Sequence, residues 1–341
     1  MKKSDLQLWE YLLMAGVVGL VICLCVGVGS VNIPLEETLD IFARALTRRE
    51  QTAGLTATIL LTVRLPRVLA VALTGAALSL SGAAMQGLLK NPLADGSTLG
   101  VSSGAALGAV LAIALGITLP GFPLGATVGM AMLFAFLSLT VILTLAYRLD
   151  YSLATNTIIL IGVIYSMFVS SAMSVIIAFF PDRIQSITFW TMGSLQGASY
   201  TTVWLLLAGL ACFGLPLLLQ ARQLNAFAVG EDNARHIGVN VRRVKLTALI
   251  CVSALIGVCV SVGGTIGFVG LVTPHAARLL CGPNHKRLLP MAMAGGAVFL
   301  MLSDLVARTL IRPLELPIGV ITSLIGAVVF VLIFYNTRKA G

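Results

Sequence analysis

The chain has 341 residues, of which 58% are hydrophobic and 10% are charged, and its formal net charge is +9. A soluble domain carries roughly a quarter charged residues, and one core could not bury apolar runs that recur from end to end. The composition therefore excludes a soluble protein and predicts an integral membrane protein. The long apolar runs do not alternate with polar residues, which excludes a membrane β-barrel.

The apolar runs predict an all-α polytopic membrane protein with about ten transmembrane helices, because a bilayer requires about 20 apolar residues per helix. We interpret residues 1–341 as one transmembrane domain. The eighth span has four glycines before Pro274 and is expected to be short or broken; alternatively, the seventh and eighth spans are one span and a re-entrant piece. The predicted spans are residues 9–29, 67–88, 96–118, 124–147, 153–180, 200–220, 246–264, 267–281, 287–309 and 316–336.

The first span follows Lys2 and Lys3, as the core of a signal peptide would. Its apolar stretch is longer than a usual signal core and no A-x-A cleavage site follows, so we expect a retained helix. With both termini in the cytoplasm, the inner segments hold 14 Lys and Arg residues and the outer segments hold 8. This bias follows the positive-inside rule and explains the basic charge without a nucleic-acid partner.

Two outer segments are long enough to have structure of their own. Residues 30–63 contain an amphipathic pattern, and residues 181–197 mix apolar and polar side chains and are expected to fold back into the outer interface. The apolar side of the first pattern consists of Leu35, Leu39, Phe42 and Leu46.

Small residues recur every four positions in the second and third spans. Such a face allows two membrane helices to approach closely, so we interpret it as packing. The glycine-rich stretch at 96–104 lacks the lysine of a phosphate-binding loop. The small residues are Gly75, Ser79, Ala83 and Gly87, followed by Gly100, Gly104 and Gly108.

No catalytic or metal site is predicted in this chain. The six cysteines and three histidines do not occur at ligand spacing, and structural roles are expected for them. The central parts of the spans contain no charged residue; Asp304 lies toward the outer end of the ninth span, where Arg308 is a natural i,i+4 partner. Transport driven by protons or ions commonly uses a buried ionisable group, so the energy for transport is expected to come from elsewhere.

Three motifs, at residues 64–108, 267–280 and 315–330, resemble the FecCD family over nearly the whole chain. These are membrane subunits of bacterial ABC importers for ferric siderophores, haem and cobalamin. The resemblance implies a type II ABC importer permease fold with ten helices per subunit, in the bacterial plasma membrane. The alternatives are a secondary transporter of a neutral or bulky solute and a scaffold that transports nothing.

The resemblance also implies the partners of the chain. They are a second permease subunit around a central pathway, two cytoplasmic ATPase subunits that bind ATP and Mg, and an extracytoplasmic substrate-binding protein. A homodimer is expected, with a pair of different permeases as the alternative. The chain itself is not expected to be an enzyme or to bind a cofactor or resident metal.

Residues 221–245, which we name the coupling segment, contain seven of the chain's charged residues. The resemblance implies that this segment holds the helix that contacts the ATPase. Glu231 or Asp232 can start a short helix and Gly238 can end it in a left-handed cap. An ordinary solvated loop is the alternative. The predicted coupling residues are Glu231, Asp232, Arg235, His236 and Gly238.

The cytoplasmic gate is predicted at the end of the second span and the start of the fifth, by the family positions that close the pathway. It consists of Asn91, Leu93, Thr155 and Asn156. A turn-forming cap is the alternative for Asn91, because the following Pro92 disfavours a continuing helix.

Arginines at the outer face are predicted to dock the binding protein, as the resemblance implies for Arg64, Arg67 and Arg308, with Arg312 a substitute for Arg308. The alternatives are internal pairing with Asp304 or Glu315 and contact with lipid headgroups. The fifth span offers neutral side chains to line the pathway, namely Tyr165, Met167, Ser170, Ser171 and Met173.

Overall fold

The computed structural model describes residues 6–29, 33–47, 54–95, 99–119, 125–151, 154–228 and 230–339. Within these ranges the chain is almost entirely helical and forms no strand. The helices are α1 (Leu8–Gly27), α2 (Leu35–Thr47), α3 (Leu55–Leu89), α4 (Val101–Ala114), α5 (Gly125–Leu149), α6 (Thr155–Phe179), α7 (Ile184–Thr191), α8 (Tyr200–Leu219), α9 (Ala221–Ala228), α10 (Glu231–His236), α11 (Val241–Gly263), α12 (Val269–Cys281), α13 (His285–Thr309) and α14 (Ile318–Lys339).

Each of the ten predicted spans contains a helix, which confirms the all-α membrane architecture. In the described part of the chain, seven helices are long and apolar enough to cross a bilayer. The helices α4 and α12 are shorter, with 14 and 13 residues. Helices of that length do not cross the hydrocarbon layer by themselves, so their ends depend on contacts with longer neighbours.

Helix α3 begins twelve residues before the predicted second span. It is 35 residues long and includes a π-helical stretch at Ile59–Arg64. Pro66 had suggested a helix start, but it lies inside the helix, two residues after the end of the π-helical stretch. The outer segment predicted at 30–63 is correspondingly shorter. It contains the predicted amphipathic helix as α2, whose Leu35, Leu39, Phe42 and Leu46 side chains lie outside the described residues.

The predicted eighth span is a short helix preceded by a break. Helix α11 ends at Gly263, residues 264–268 are not helical, and α12 begins at Val269. Gly264 has φ +67°, and a Cβ there would lie 2.2 Å from the carbonyl oxygen of Trp190. The break therefore needs glycine both for its backbone conformation and for the close approach of the last turn of α7.

The small-residue faces pack helices together, as predicted. On α3, a Cβ at Gly75 would lie 2.2 Å from the carbonyl oxygen of Gly296 in α13. One turn later, Ser79 Oγ donates to the carbonyl oxygen of Ala292 at 2.6 Å. On α4, a Cβ at Gly108 would lie 2.3 Å from the carbonyl oxygen of Met130 in α5. Larger side chains at these positions would push the helices apart.

The two ends of the bundle are named here after their predicted sides. The inner end includes α9, α10 and the Glu10–Arg287 ion pair between α1 and α13, whose charged atoms are 2.5 Å apart. The outer end includes α7, where Ile187 is buried against Val110 and Ala114 of α4. The segment at 181–197 thus folds back onto the bundle, as expected.

Candidate functional site

The coupling segment consists of two short helices at the inner end, α9 and α10, followed by the start of α11. Gly238 has φ +86° and its N–H donates to the carbonyl oxygen of Arg235 at 3.0 Å. The next N–H, of Val239, donates to the carbonyl oxygen of Ala234 at 3.0 Å. These two bonds make a Schellman motif, so the predicted left-handed end of the helix at Gly238 is confirmed.

The start of α10 differs from the prediction. The residue that precedes the helix is Gly230, with φ +121°, which has no side chain that could cap the first turn. Glu231 and Asp232 are the first two helical residues, where their negative charge still favours the amino-terminal end of the helix dipole. Glu231 is instead paired with Lys245 of α11, with an O–N distance of 2.7 Å.

The Glu231–Lys245 pair fixes α10 to a membrane-spanning helix. The Lys245 side chain is only 1% exposed, and a buried ammonium group without a carboxylate would be strongly destabilising. The charge pattern of the segment did not reveal this pairing, because Lys245 resembles the basic residues that usually end an inner loop.

The opposite face of α10 points away from the bundle. Ala234 is fully buried, whereas Asp232, Arg235 and His236 are exposed. Asp232 and Arg235 form a surface ion pair at 3.4 Å, with side chains 88% and 54% exposed. The helix therefore offers a charged surface to a partner while its other side is attached to the bundle.

The gate residues lie in two segments at the inner end. Asn91 Oδ1 accepts a hydrogen bond from the Leu93 N–H at 2.9 Å, and the Asn91 carbonyl oxygen accepts one from Ala94 at 3.0 Å. Asn91 is thus a turn-forming residue, the alternative that its position before Pro92 suggested. We name residues 91–94 the gate turn; its Leu93 side chain is 51% exposed.

Thr155 and Asn156 occupy the first turn of α6. Residues 152–153, shortly before this helix, lie outside the described residues. Asp150 Oδ2 accepts from the Ala154 N–H at 3.0 Å and orders this helix start. Among the hydrogen bonds of the described residues, none joins Asn91 or Leu93 to Thr155 or Asn156 within the single chain.

The outer arginines are buried, which the docking interpretation did not expect. Arg67 donates to Asp304 Oδ1 through two nitrogens, at 3.1 and 2.8 Å, and to Glu315 Oε2 at 2.7 Å. Arg308 Nε lies 3.3 Å from the other oxygen of Asp304. The predicted Asp304–Arg308 pair is present, and Arg67 and Arg308 adopt the internal pairing that was the alternative to docking.

Arg64 and Arg308 also bind the carboxyl-terminal end of α1. Arg64 donates to the carbonyl oxygens of Val26 and Gly27 at 3.1 Å each, and Arg308 donates to that of Cys25. Cations are favourable at this end of a helix dipole. In this arrangement none of the three predicted docking arginines presents its guanidinium group to a partner; Arg312, the substitute, is exposed.

The early start of α3 explains why the arginines are internal. Arg64 follows Leu55 by nine residues, which is about 13 Å along a helix at 1.5 Å per residue. The two arginines are therefore well inside α3 rather than at its exposed beginning.

The predicted pathway residues of α6 divide into two groups. Met167, Ser170 and Ser171 are exposed, as a lining role requires. Tyr165 is half-buried and its hydroxyl lies 2.6 Å from Ser138 Oγ of α5. Met173 packs against the cluster of Val110, Ala114 and Ile187, so these two side chains contribute to the bundle.

Comparison with known proteins gives consistent matches along the chain. A family model described as the FecCD transport family matches residues 17–336. An uncharacterized ABC transporter permease protein of Bacillus subtilis is 43% identical, covering 83% of this chain and 80% of the relative. The hemin transport system permease protein of Yersinia pestis is 38% identical, with coverages of 82% and 84%. The vitamin B12 import system permease protein of Citrobacter koseri is 38% identical, with coverages of 81% and 83%.

Solved structures show the same fold. A structure described as an inward-facing conformation of a metal-chelate type ABC transporter matches with a TM-score of 0.84 and 29% identity, covering 96% of this chain and 99% of that one. PsaBC from Streptococcus pneumoniae, in complex with Fab, matches with a TM-score of 0.56 over 79% of this chain and 90% of that one. Its 18% identity makes it evidence for the fold alone.

Proposed function

The chain belongs to the FecCD transport family, and we propose that it works as one of two permease copies around a central pathway, driven by two separate ATPase subunits. It is the permease subunit of a metal-chelate type ABC importer. ATP binding and hydrolysis in the partner chains alternate the pathway between outward and inward access. The membrane is the bacterial plasma membrane, with both termini in the cytoplasm.

The observation that carries the coupling mechanism is the two-sided character of α10. Its exposed face holds Asp232, Arg235 and His236, and its other side is fixed to α11 through the Glu231–Lys245 pair at 2.7 Å. A helix that touches an ATPase on one side and is attached to a span on the other transmits rigid-body movement.

The proposed cargo is a metal chelate of the size of haem, cobalamin or a ferric siderophore. The relatives named for hemin and vitamin B12 import support this class. The exposed Met167, Ser170 and Ser171 of α6 are uncharged, so a pathway lined by them would hold a large solute only weakly. Affinity then resides in a substrate-binding protein, for which the exposed Arg312 is an available outer cation.

The test is uptake into proteoliposomes that contain the permease with its ATPase, with the binding protein outside and ATP inside. Hemin, cyanocobalamin and a ferric siderophore are compared as cargo. We expect uptake of one class, and none when ATP is replaced by a non-hydrolysable analogue. Uptake that needs no ATPase and follows an ion gradient would identify a secondary transporter instead.

The coupling surface is tested by Asp232→Ala together with Arg235→Ala, because both side chains are exposed and their removal leaves Lys245 paired. We expect uptake per ATP to fall by about tenfold, within the usual range of coupling energies. The control is Asp40→Ala with Arg44→Ala, another exposed ion pair within one helix, on α2 at 2.8 Å. Equal uptake by both double variants would contradict the coupling role.

A further inference from the structure

We propose that His285 is a positioning residue that connects the coupling segment to the gate turn. It lies at the first position of α13, is 5% exposed, and touches both α9 and the end of α3. The proposal rests on the proposed function, since it names the residue that carries movement from the ATPase-facing segment to the gate.

The first half of the connection is a set of hydrogen bonds to Asn225 of α9. Asn225 Oδ1 lies 2.8 Å from the backbone nitrogen of His285 and 2.9 Å from its ring Nδ1. A backbone N–H can only donate, so the nearby atom of Asn225 must be its oxygen. The Asn225 amide nitrogen then donates to Asn284 Oδ1 at 2.8 Å, which fixes the whole amide group.

The same bonds determine the state of the histidine ring. An amide oxygen can only accept hydrogen bonds. Since Nδ1 faces the amide oxygen of Asn225, Nδ1 carries a hydrogen and donates it. In the neutral ring Nε2 is then a bare acceptor, and it has no hydrogen-bond partner among the residues that the structure describes. The ring is therefore held from one side, by α9, and its other side is free to serve as a packing surface.

The second half of the connection is the contact of that surface with Gly87 in the last turn of α3. A Cβ at Gly87 would lie 2.2 Å from His285 Nε2 and 2.9 Å from Cε1. The ring thus rests directly against the glycine, with no room for a side chain. Gly87 belongs to the small-residue packing face that the sequence predicted, and the residue that packs against it is His285.

Movement at Gly87 reaches the gate turn over a short distance. Helix α3 ends at Leu89, Lys90 has φ +49°, and the turn begins at Asn91. Only three residues separate Gly87 from Asn91, about one helical turn. A shift of α9 that pulls Asn225 therefore displaces the ring, and with it the last turn of α3, which leads into the gate turn. The Glu231–Lys245 pair leads to a different helix, α11, and provides a separate connection.

The experiment measures cargo uptake per ATP hydrolysed in the reconstituted importer, a ratio that does not depend on how much protein folds. His285→Ala removes the ring, and Asn225→Leu removes its hydrogen bonds; each is expected to lower the ratio about tenfold. The double variant should be no worse than either single one, since both act through one contact. Asn225→Asp keeps an acceptor for both hydrogens but loses the donor to Asn284 Oδ1, so it should retain more of the coupling than Asn225→Leu.

A matched control lies just before the coupling segment. Gln220→Leu changes a side chain whose buried Oε1 has no hydrogen-bond partner among the described residues, and its ratio should equal that of the wild type. Gly87→Ala tests the contact from the other side and should also lower the ratio. If Gly87→Ala fails to assemble, the His285 and Asn225 variants still decide the matter.

The failures of the two ideas are distinguishable. If the wild-type complex takes up no cargo with ATP, the proposed function is wrong. If the wild type transports and His285→Ala keeps the wild-type ratio, or if the double variant loses the product of the two single effects, His285 is not the connection.

Discussion

Asp304 is the acidic residue that holds the outer end together. One of its oxygens accepts two hydrogen bonds from Arg67, and Arg308 Nε lies 3.3 Å from the other. The carboxylate is 1% exposed, and both guanidinium groups are also buried. Arg67 continues to Glu315, so a single buried network joins α3, α13 and the segment before α14.

Asp304→Asn should destabilise the folded chain, because it leaves two buried cations with one carboxylate between them. Removing one partner of a buried pair costs about 3–5 kcal/mol. The measurement is the unfolding temperature in detergent. The control is Asp40→Asn, which breaks an exposed pair and should cost no more than about 1 kcal/mol. Equal unfolding temperatures for the two variants would show that the network contributes little.

Sequence reasoning reached part of this network. The Asp304–Arg308 pair was predictable, because residues four apart lie on one side of a helix. The Arg67–Asp304 pair joins residues 237 positions apart; the sequence offered it only as the alternative to docking, because no local pattern encodes a contact between such distant residues. The same limit applies to Lys245 and to Asn225, whose partners lie on other helices. Charge and spacing identified the coupling segment, but not how it is attached.

At the scale of helices, the packing face of α3 was visible in the sequence, whereas its partner α13 and the boundaries of α3 were not. Small residues every four positions allow close approach whatever the neighbour is. The early start of α3 depends instead on a π-helical stretch and on buried arginines. A charged residue normally marks the end of a span. Because of Arg64 and Arg67, the second span was therefore predicted to start at residue 67 rather than at Leu55.

Two adjacent glycines of α13 provide a test of this packing. A Cβ at Gly296 would lie 2.3 Å from the carbonyl oxygen of Gly75 and 2.4 Å from Ser79 Cβ, whereas a Cβ at Gly295 would meet nothing within 4 Å. Gly296→Ala should therefore lower stability by about 1–3 kcal/mol, as overpacking does. Gly295→Ala should be neutral or slightly stabilising, because alanine favours a helix.

Thermal unfolding and the yield of the assembled importer measure both variants. A Gly296→Ala protein as stable as Gly295→Ala would mean that the two helices can separate without loss, and that the small-residue face is not required.

At the scale of the whole molecule, one of the three polar connections lies at the outer end of the bundle and two lie at the inner end. The buried arginine network fixes α1, α3 and α13 together at the outer end. At the inner end, the short helices α9 and α10 pack against the bundle through fully buried apolar side chains. The Glu231–Lys245 and Asn225–His285 contacts attach them to two different spanning helices. Because the exposed face of α10 also lies at this end, partner-driven movement is expected to begin there, with the outer network as a fixed support.

The last prediction concerns the gate, and its test is cross-linking between two copies of the chain. Leu93 of the gate turn is 51% exposed, and Asn156 is exposed at the start of α6. If these residues close the pathway between subunits, Leu93→Cys and Asn156→Cys should each cross-link between copies, and the yield should change when ATP replaces the nucleotide-free state. Cys23 and Cys212, the exposed cysteines of the described chain, are first replaced by Ser. The control is Leu55→Cys, because Leu55 is 80% exposed at the outer end. Its yield shows how much cross-linking results from exposure alone. Cross-linking at position 93 that is absent, or equal in all nucleotide states, would leave the gate turn with only its local role of ending α3.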